Sequence, residues 1–264
     1  MPVITIINYM RIVFIGSGNT ATVLGKLLKT AGHNIIGVYS KTHEHARALA
    51  VELNAQYVGD ITTINKDAEL YIIAVNDDMI TTVANSLRLA GKTVVHTSGS
   101  VPATALKDIS SEYGVLYPLQ SLRRQAAHQP VIPFLIDGST TTVKEQVRQL
   151  AQSISTIVEE ADDDKRLKLH LAAVIVSNFT NHLYTLAEDF CLKEAIPFKA
   201  LVPLIQEVAY RTAAYSPTAM QTGPAARGDM ATIEKHIELL NSYPLLQKMY
   251  KGTTESILAF KEKL

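Results

Sequence analysis

The sequence predicts a doubly wound α/β domain over residues 10–160, followed by an all-helical domain over residues 161–264. Three observations carry this. Short apolar runs alternate with stretches of helical apolar spacing in the first part. Those runs lack the polar alternation of a half-exposed strand, as a parallel sheet covered on both faces requires. Strand signals stop after the acidic run Asp162 to Asp164.

In chain order, residues 11–15 (RIVFI) read as a strand that stops at a glycine cluster. Ala21, Leu24, Leu27 and Leu28 then set a helix over 20–31. Residues 34–39 (NIIGVY) are a second strand, 43–53 a helix and 56–58 a short third strand. The run 70–75 (LYIIAV) is a buried strand, and 92–96 and 114–117 supply the next two. Residues 134–137 (FLID), a helix over 140–153 and a strand over 155–158 complete the domain. Carboxylates at 162–164 favour a helix N-terminus. Beyond them Pro197, Pro217, Pro224 and Pro244 mark breaks between helices.

Composition narrows the function. Of the 264 residues 47% are hydrophobic and 19% charged, enough for a core and too few charges for disorder. The 25 basic and 25 acidic residues cancel and form no long basic run, so a nucleic-acid partner lacks electrostatic support. No apolar run reaches the roughly 18 residues of a membrane span, and the residues before Arg11 carry no basic leader region. The lone Cys191 can form no intramolecular disulfide and reads as a buried apolar cysteine. These features together predict a cytoplasmic protein. The eight histidines fall in no zinc-like spacing, so no metal is expected.

The main motif is Gly16-Ser17-Gly18-Asn19-Thr20-Ala21, a G-x-G-x-x-A directly after a strand and opening a helix. Gly16 permits the tight turn, Gly18 admits a pyrophosphate, and Ala21 allows close helix–strand packing. The helix N-terminus faces the phosphate charge. This is a Rossmann-type dinucleotide signature; the plainer reading is a glycine-rich turn in another α/β fold. After the second strand an NAD site places a carboxylate on the ribose. Here Tyr39-Ser40-Lys41-Thr42 has hydroxyls and a cation, with Arg47 further on and no acid before Glu44. That favours NADP(H), with Ser40 and Lys41 at the 2′-phosphate, over a merely solvated loop lysine.

Ligands in open α/β sheets sit at strand C-termini. Three polar loops fall there: Val75-Asn76-Asp77-Asp78, His96-Thr97-Ser98-Gly99-Ser100 and Tyr117-Pro118-Leu119-Gln120-Ser121. Val75 and Asn76 are cofactor candidates, whereas Asp77 and Asp78 read better as a helix N-cap. For Ser98 to Ser100, turn chemistry and site chemistry weigh equally.

GSGNTA, the strand ending AVNDD, HTSGS followed by a proline, YPLQS, a helix carrying SNF, and TGPAARGD together resemble one family from residue 11 onward. It is a family of Rossmann-like proteins with a C-terminal domain of unknown function. It is similar to deazaflavin-dependent NADP reductases and to pyrroline-5-carboxylate, ketopantoate and prephenate reductases or dehydrogenases. The resemblance implies a C-terminal domain like that of 6-phosphogluconate dehydrogenase, often used for dimerisation, and an active site in the cleft between domains. It supplies no substrate. Ketopantoate reductases and hydroxyacid dehydrogenases carry a catalytic lysine on the first long helix of the second domain. The matching stretch here is Leu169 to Val174, with Lys168 nearby but out of position and His170 the nearest substitute.

Ser177, Asn178 and Asn181 follow on that helix. On an ideal helix His170 lies about 12 Å before Asn178, so the two would line opposite ends of a site. A surface role competes for His170, for which no orienting carboxylate is visible, and an interhelical hydrogen bond competes for Asn178. Arg227, in an irregular loop ending in a helix N-cap at Asp229, can clamp a carboxylate through its planar fork or simply contact Asp229.

The combined reading is an NADP-dependent oxidoreductase moving a hydride to or from a small carbonyl, imine or hydroxy acid. Asn178, His170 and Ser98 are the catalytic candidates, and Tyr117, Gln120 and Arg227 the substrate contacts. A homodimer through the C-terminal helices is expected, because that segment is apolar and short. The alternative is a non-catalytic NADP(H)-binding protein, a redox sensor or partner of another enzyme; the missing lysine keeps it open.

Overall fold

The computed structural model of the chain describes residues 9–125 and 130–261. It divides into two compact units, one up to Ile175 and one from Val176 onward.

The first unit holds β1 (Arg11–Ile15), α1 (Asn19–Thr30), β2 (Asn34–Tyr39), α2 (His43–Leu53), β3 (Gln56–Val58), β4 (Leu70–Ile73), α3 (Asp77–Ser86), β5 (Thr93–His96) and β6 (Tyr113–Pro118). β7 (Phe134–Gly138), α4 (Thr141–Gln152), β8 (Val158–Glu160) and α5 (Asp163–Ala173) follow. The described strands form one sheet in the order β3-β2-β1-β4-β5-β6-β7-β8. The chain winds outward from β1 through β2 and β3, then returns to place β4 on β1's other side. That reversal opens a crevice at the strand C-termini of β1 and β4, where dinucleotides bind in such sheets.

The apolar runs fold as strands because both faces are covered. Ile12 and Phe14 point into one core layer with Leu24, Leu28 and Ile72. Val13 and Ile15 point into the opposite layer with Tyr71, Ile73 and Ile80. Successive residues alternate faces, so a slip of one residue would exchange the two layers.

Several boundaries differ from the sequence reading. β4 ends at Ile73 rather than at residue 75, which leaves Ala74 to Asn76 as loop. The strand expected over 155–158 begins only at Val158. Ser155 is held in a local turn, its hydroxyl donating to Ile132 O (2.6 Å) and accepting from Ile157 N (3.1 Å). β7 runs antiparallel to β6, while every other strand pair is parallel. The described part of the β6–β7 connection contains no helix to serve as a crossover, and a direct return pairs strands antiparallel. The cap of α3 is Asn76, with Asp77 and Asp78 in the first turn. Asp162 does cap α5, accepting from Lys165 N at 2.8 Å.

No strand occurs beyond Glu160 among the described residues. A π-helical turn, Val174–Phe179, precedes the second unit's helices: α6 (Thr180–Lys193), α7 (Val202–Ala214), the one-turn α8 (Pro224–Arg227), α9 (Met230–Leu239) and α10 (Pro244–Lys261). Pro224 and Pro244 each open a helix, where a missing N–H costs nothing. Asp229 caps α9 by accepting from Thr232 N. Cys191 is buried, as its isolation in the sequence suggested. No helix among the described residues is long and apolar enough to cross a membrane.

Two buried histidines in the first unit are held neutral. His33 Nδ1 accepts from Met10 N (3.2 Å), and its Nε2 pairs with Ser153 Oγ (3.0 Å); burial lowers its pKa. His96, fully buried at the end of β5, accepts from Ser98 N; burial, and then the Arg166 guanidinium, lower its pKa to about 4. An unfolded histidine titrates near 6.5, so the unfolded chain binds more protons below that pH and stability falls as pH falls. His96 alone should remove about 2 kcal/mol of stability between pH 7.5 and pH 5. Equilibrium unfolding at the two pH values checks this: His96→Gln should flatten the slope, and a flat wild-type profile would contradict it.

Candidate functional site

A cavity of about 770 Å³ opens at the C-terminal ends of β1, β2 and β4. Gly16 forms its floor. It has φ +125°, and a Cβ there would stand 2.1 Å from Ala74 O. Its N–H donates to Tyr39 O at 2.7 Å, so the turn lies between the ends of β2 and β4. Gly18 is different. It occupies the N-cap of α1 with extended backbone, and a Cβ would meet nothing within 4 Å. The fold itself therefore does not require glycine at 18. No side chain caps α1 and no carboxylate occupies its first turn, which leaves its free N–H groups for an anion.

Of the residues read as cofactor-binding from the motif and loops, Ser17, Asn19, Ser40, Lys41, Val75 and Asn76 line this cavity along with Gly16 and Gly18. Thr20 and Ala21 do not. Ala21 packs in the core beneath α1 and Thr20 is half-buried. Arg47 turns away and stacks over Tyr57, 4.9 Å from the ring centroid. The sequence reading missed Arg123 and Arg124, which line the cavity from the segment after β6. Arg124 N donates to Asn19 Oδ1 at 3.3 Å. Only an RR pair beyond YPLQS hinted at them, and no motif marks where that segment folds.

The β5–β6 loop makes a second polar cluster on the same sheet edge. Ser98, 5% exposed, accepts N–H groups from Ser100 and Val101 on its Oγ, which fixes the loop. Ser100 Oγ donates to Asp77. Tyr117 Oη and His170 Nδ1 lie 2.9 Å apart, with the rings edge to face. Gly99 seats the pair: a Cβ there would meet His170 at 2.7 Å and Tyr117 at 2.9 Å. Burial, then the charge of Asp77, raises the pKa of Tyr117, so it stays a protonated phenol. The structure thus joins His170 to Tyr117, where the sequence showed no partner for it.

Gln120 is exposed and folds onto its own loop, accepting from Ser121 N. Asn178 is exposed within the π-helical turn, so the ideal α-helical spacing from His170 does not apply. π turns are frequent at functional sites. Arg227 is exposed at the end of α8, so residues 222–229 are not wholly irregular; its charge helps lower the Asp229 pKa, behind the hydrogen bonds from Thr232. Among the described residues no cluster of His, Cys, Asp or Glu could hold a metal ion.

Together the sheet order and the turn at Gly16 define a Rossmann-type unit followed by a helical region. Residues 11–99 match the family described as NADP oxidoreductase, coenzyme F420-dependent, and residues 132–257 match a domain of unknown function, DUF2520. A Bacteroides fragilis protein provisionally assigned as an NADP oxidoreductase is 37% identical, with 95% of this chain and 98% of that one covered and a TM-score of 0.87. The chain belongs to the same family as that protein. Two more distant structures share the fold. One is 1-pyrroline-5-carboxylate reductase from Streptococcus pyogenes (16% identity, 95% and 99% coverage, TM-score 0.63). The other is the imine reductase from Myxococcus stipitatus in complex with NADP+ (16%, 96% and 93%, 0.66). No curated protein matches the sequence.

The two glycines separate fold from ligand. Gly16→Ala should lower the melting temperature by roughly 5–10 °C or prevent folding, because backbone cannot yield to the new Cβ. Gly18→Asp should melt within about 2 °C of wild type without ligand, yet lose NADPH binding. Differential scanning fluorimetry with and without NADPH reads both; equal NADPH stabilisation of Gly18→Asp and wild type would refute the assignment.

Proposed function

We propose that the chain is an NADP(H)-dependent oxidoreductase acting on a small carbonyl, imine or hydroxy acid. The observation that carries this is one cavity combining the Gly16 turn, the uncapped N-terminus of α1 and a Ser40–Lys41 segment without a carboxylate. These groups fit an NADP-type dinucleotide, with its pyrophosphate on α1 and its 2′-phosphate at Ser40 and Lys41.

When bound, NADPH supplies a hydride to the substrate carbon. The chain's own task is then the proton. Tyr117 stays protonated and donates its phenolic proton to the oxygen or nitrogen that gains charge. His170, half-exposed to solvent, returns a proton to Tyr117 across their 2.9 Å contact. Ser98 and the Gly99 seat hold this pair in place. In the reverse direction the same pair accepts the proton of a hydroxy acid. For Asn178 as a catalytic group, and for Gln120 and Arg227 as substrate contacts, the support is the sequence pattern alone.

The second unit also motivates a partner. Of its described hydrophobic residues only Cys191, Ala225, Ile233 and Leu240 are buried, while Val176, Phe179, Leu204, Val208 and Tyr210 are exposed. So thin a core supports the homodimer expected from the sequence, with a second copy of this chain as the covering surface. Light scattering at micromolar concentration should give twice the 28.9 kDa chain mass; a monomer would refute this.

For the reaction, NADPH oxidation across a panel of keto acids and cyclic imines is the test. Tyr117→Phe should lower turnover roughly 100-fold to 1,000-fold, with NADPH affinity kept within a few-fold. Lys41→Glu should instead reverse the preference for NADPH over NADH. Tight NADPH binding with no turnover on any panel member would favour the non-catalytic reading.

A further inference from the structure

The cavity's charge is one-sided. Lys41, Arg123 and Arg124 line it and no carboxylate among the described residues does, although the whole chain is neutral. None of the three forms an ion pair with a described carboxylate. Both arginines are exposed, and they are positioned from below: Leu122 is buried in the core, and Arg124 N bonds Asn19 Oδ1 at the first residue of α1. The arginine segment is therefore tied to the helix N-terminus. Lys41 stands elsewhere in the lining, on the loop after β2.

The geometry points to Arg123 and Arg124 as a second phosphate-binding element that grips the dinucleotide pyrophosphate from the segment after β6. The inference rests on the nucleotide reading above and adds a division of labour to it. α1 offers N–H groups to the pyrophosphate, the arginine pair adds the cationic forks that bind phosphate oxygens in twos, and Lys41 discriminates the 2′-phosphate. Pyrophosphate is common to NADPH and NADH. Removing the arginines therefore weakens both ligands together, whereas changing Lys41 alters their ratio.

The test is fluorescence titration of NADPH and NADH, up to millimolar ligand, on the full chain and on Arg123→Ala/Arg124→Ala. Both affinities should fall roughly tenfold to 100-fold, with their ratio kept within about twofold. Their dependence on salt should also become shallower. Arg123→Lys/Arg124→Lys should recover part of the loss. The ligand-free melting temperature should not move, because neither side chain is buried or paired. Wild-type affinities in the alanine variant would overturn the clamp. Loss confined to NADPH would overturn its placement at the pyrophosphate and move it to the 2′-phosphate. If the wild-type chain bound neither nucleotide, the nucleotide reading would fail first and the clamp with it.

Discussion

The site depends on how closely the end of β1 approaches the end of β4. Ile15 pairs with Ile73, and Ala74 N donates to Ile15 O at 2.8 Å. The next residue must then turn between the Ala74 carbonyl on one side and the Tyr39 carbonyl on the other. Only a residue without a Cβ fits, and only glycine adopts φ near +125° without strain. This single backbone passage aims α1 at the switch point of the sheet. The open space beside Gly18, the uncapped N–H groups and the facing Ser40–Lys41 segment all follow from it.

A second constraint organises the neighbouring loop. Arg166, fully buried on α5, donates to Val101 O and to Asp163 Oδ1, both at 2.6 Å. Asp163 in turn accepts from Ala103 N. Both Arg166 bonds come from Nη2, while Nε and Nη1 find no partner among the described residues. A buried guanidinium is costly unless it is paired, and the Nη2 bond to Val101 O and the Asp163 bond to Ala103 N tie α5 to the β5–β6 connection. They also account for where the compact units divide. The last strand ends at Glu160, but α5 stays with the sheet and the division falls at Ile175/Val176. The same helix delivers His170 to Tyr117.

Much of this was legible in the sequence because it rests on local pattern. The strands at 11–15, 34–39 and 56–58 and the helix at 43–53 match the structure residue for residue; β1 is buried from Ile12 to Ile15, and α2 buries Ala46, Leu49, Ala50 and Leu53 at helical spacing. GSGNTA was legible because its spacing directly after a strand is itself a local signature, although the carbonyls that crowd Gly16, those of Ala74 and Tyr39, are distant in sequence. What stayed hidden depends on contacts far apart in sequence. The Tyr117–His170 bond spans 53 residues and the Arg124–Asn19 bond 105. No periodicity encodes either. The antiparallel turn of β7 was equally silent, because a strand's composition does not state its direction. Ser155 looked like the start of a strand, but its hydroxyl was better used closing a turn.

Net charge shows the same limit in another form. Zero overall charge argues against a polyanion wrapped around the surface, yet it says nothing of a cavity. Ten carboxylates among the described residues pair with cations outside the cavity. Glu160 holds Lys144 and Arg148, Asp164 holds Lys168, Asp189 holds Lys193 and Glu207 holds Arg211. Most of these pairs are exposed and contribute little to stability, but they cancel charge where it stands. Lys41, Arg123 and Arg124 have no such partner among the described residues and share one concave lining, where low-dielectric walls focus their field. A protein can therefore be neutral in composition and still present a strongly cationic site, provided its acids are placed elsewhere. In this chain no carboxylate among the described residues lines the cavity, and Lys41, Arg123 and Arg124 share the end of the sheet where the backbone already offers its N–H groups.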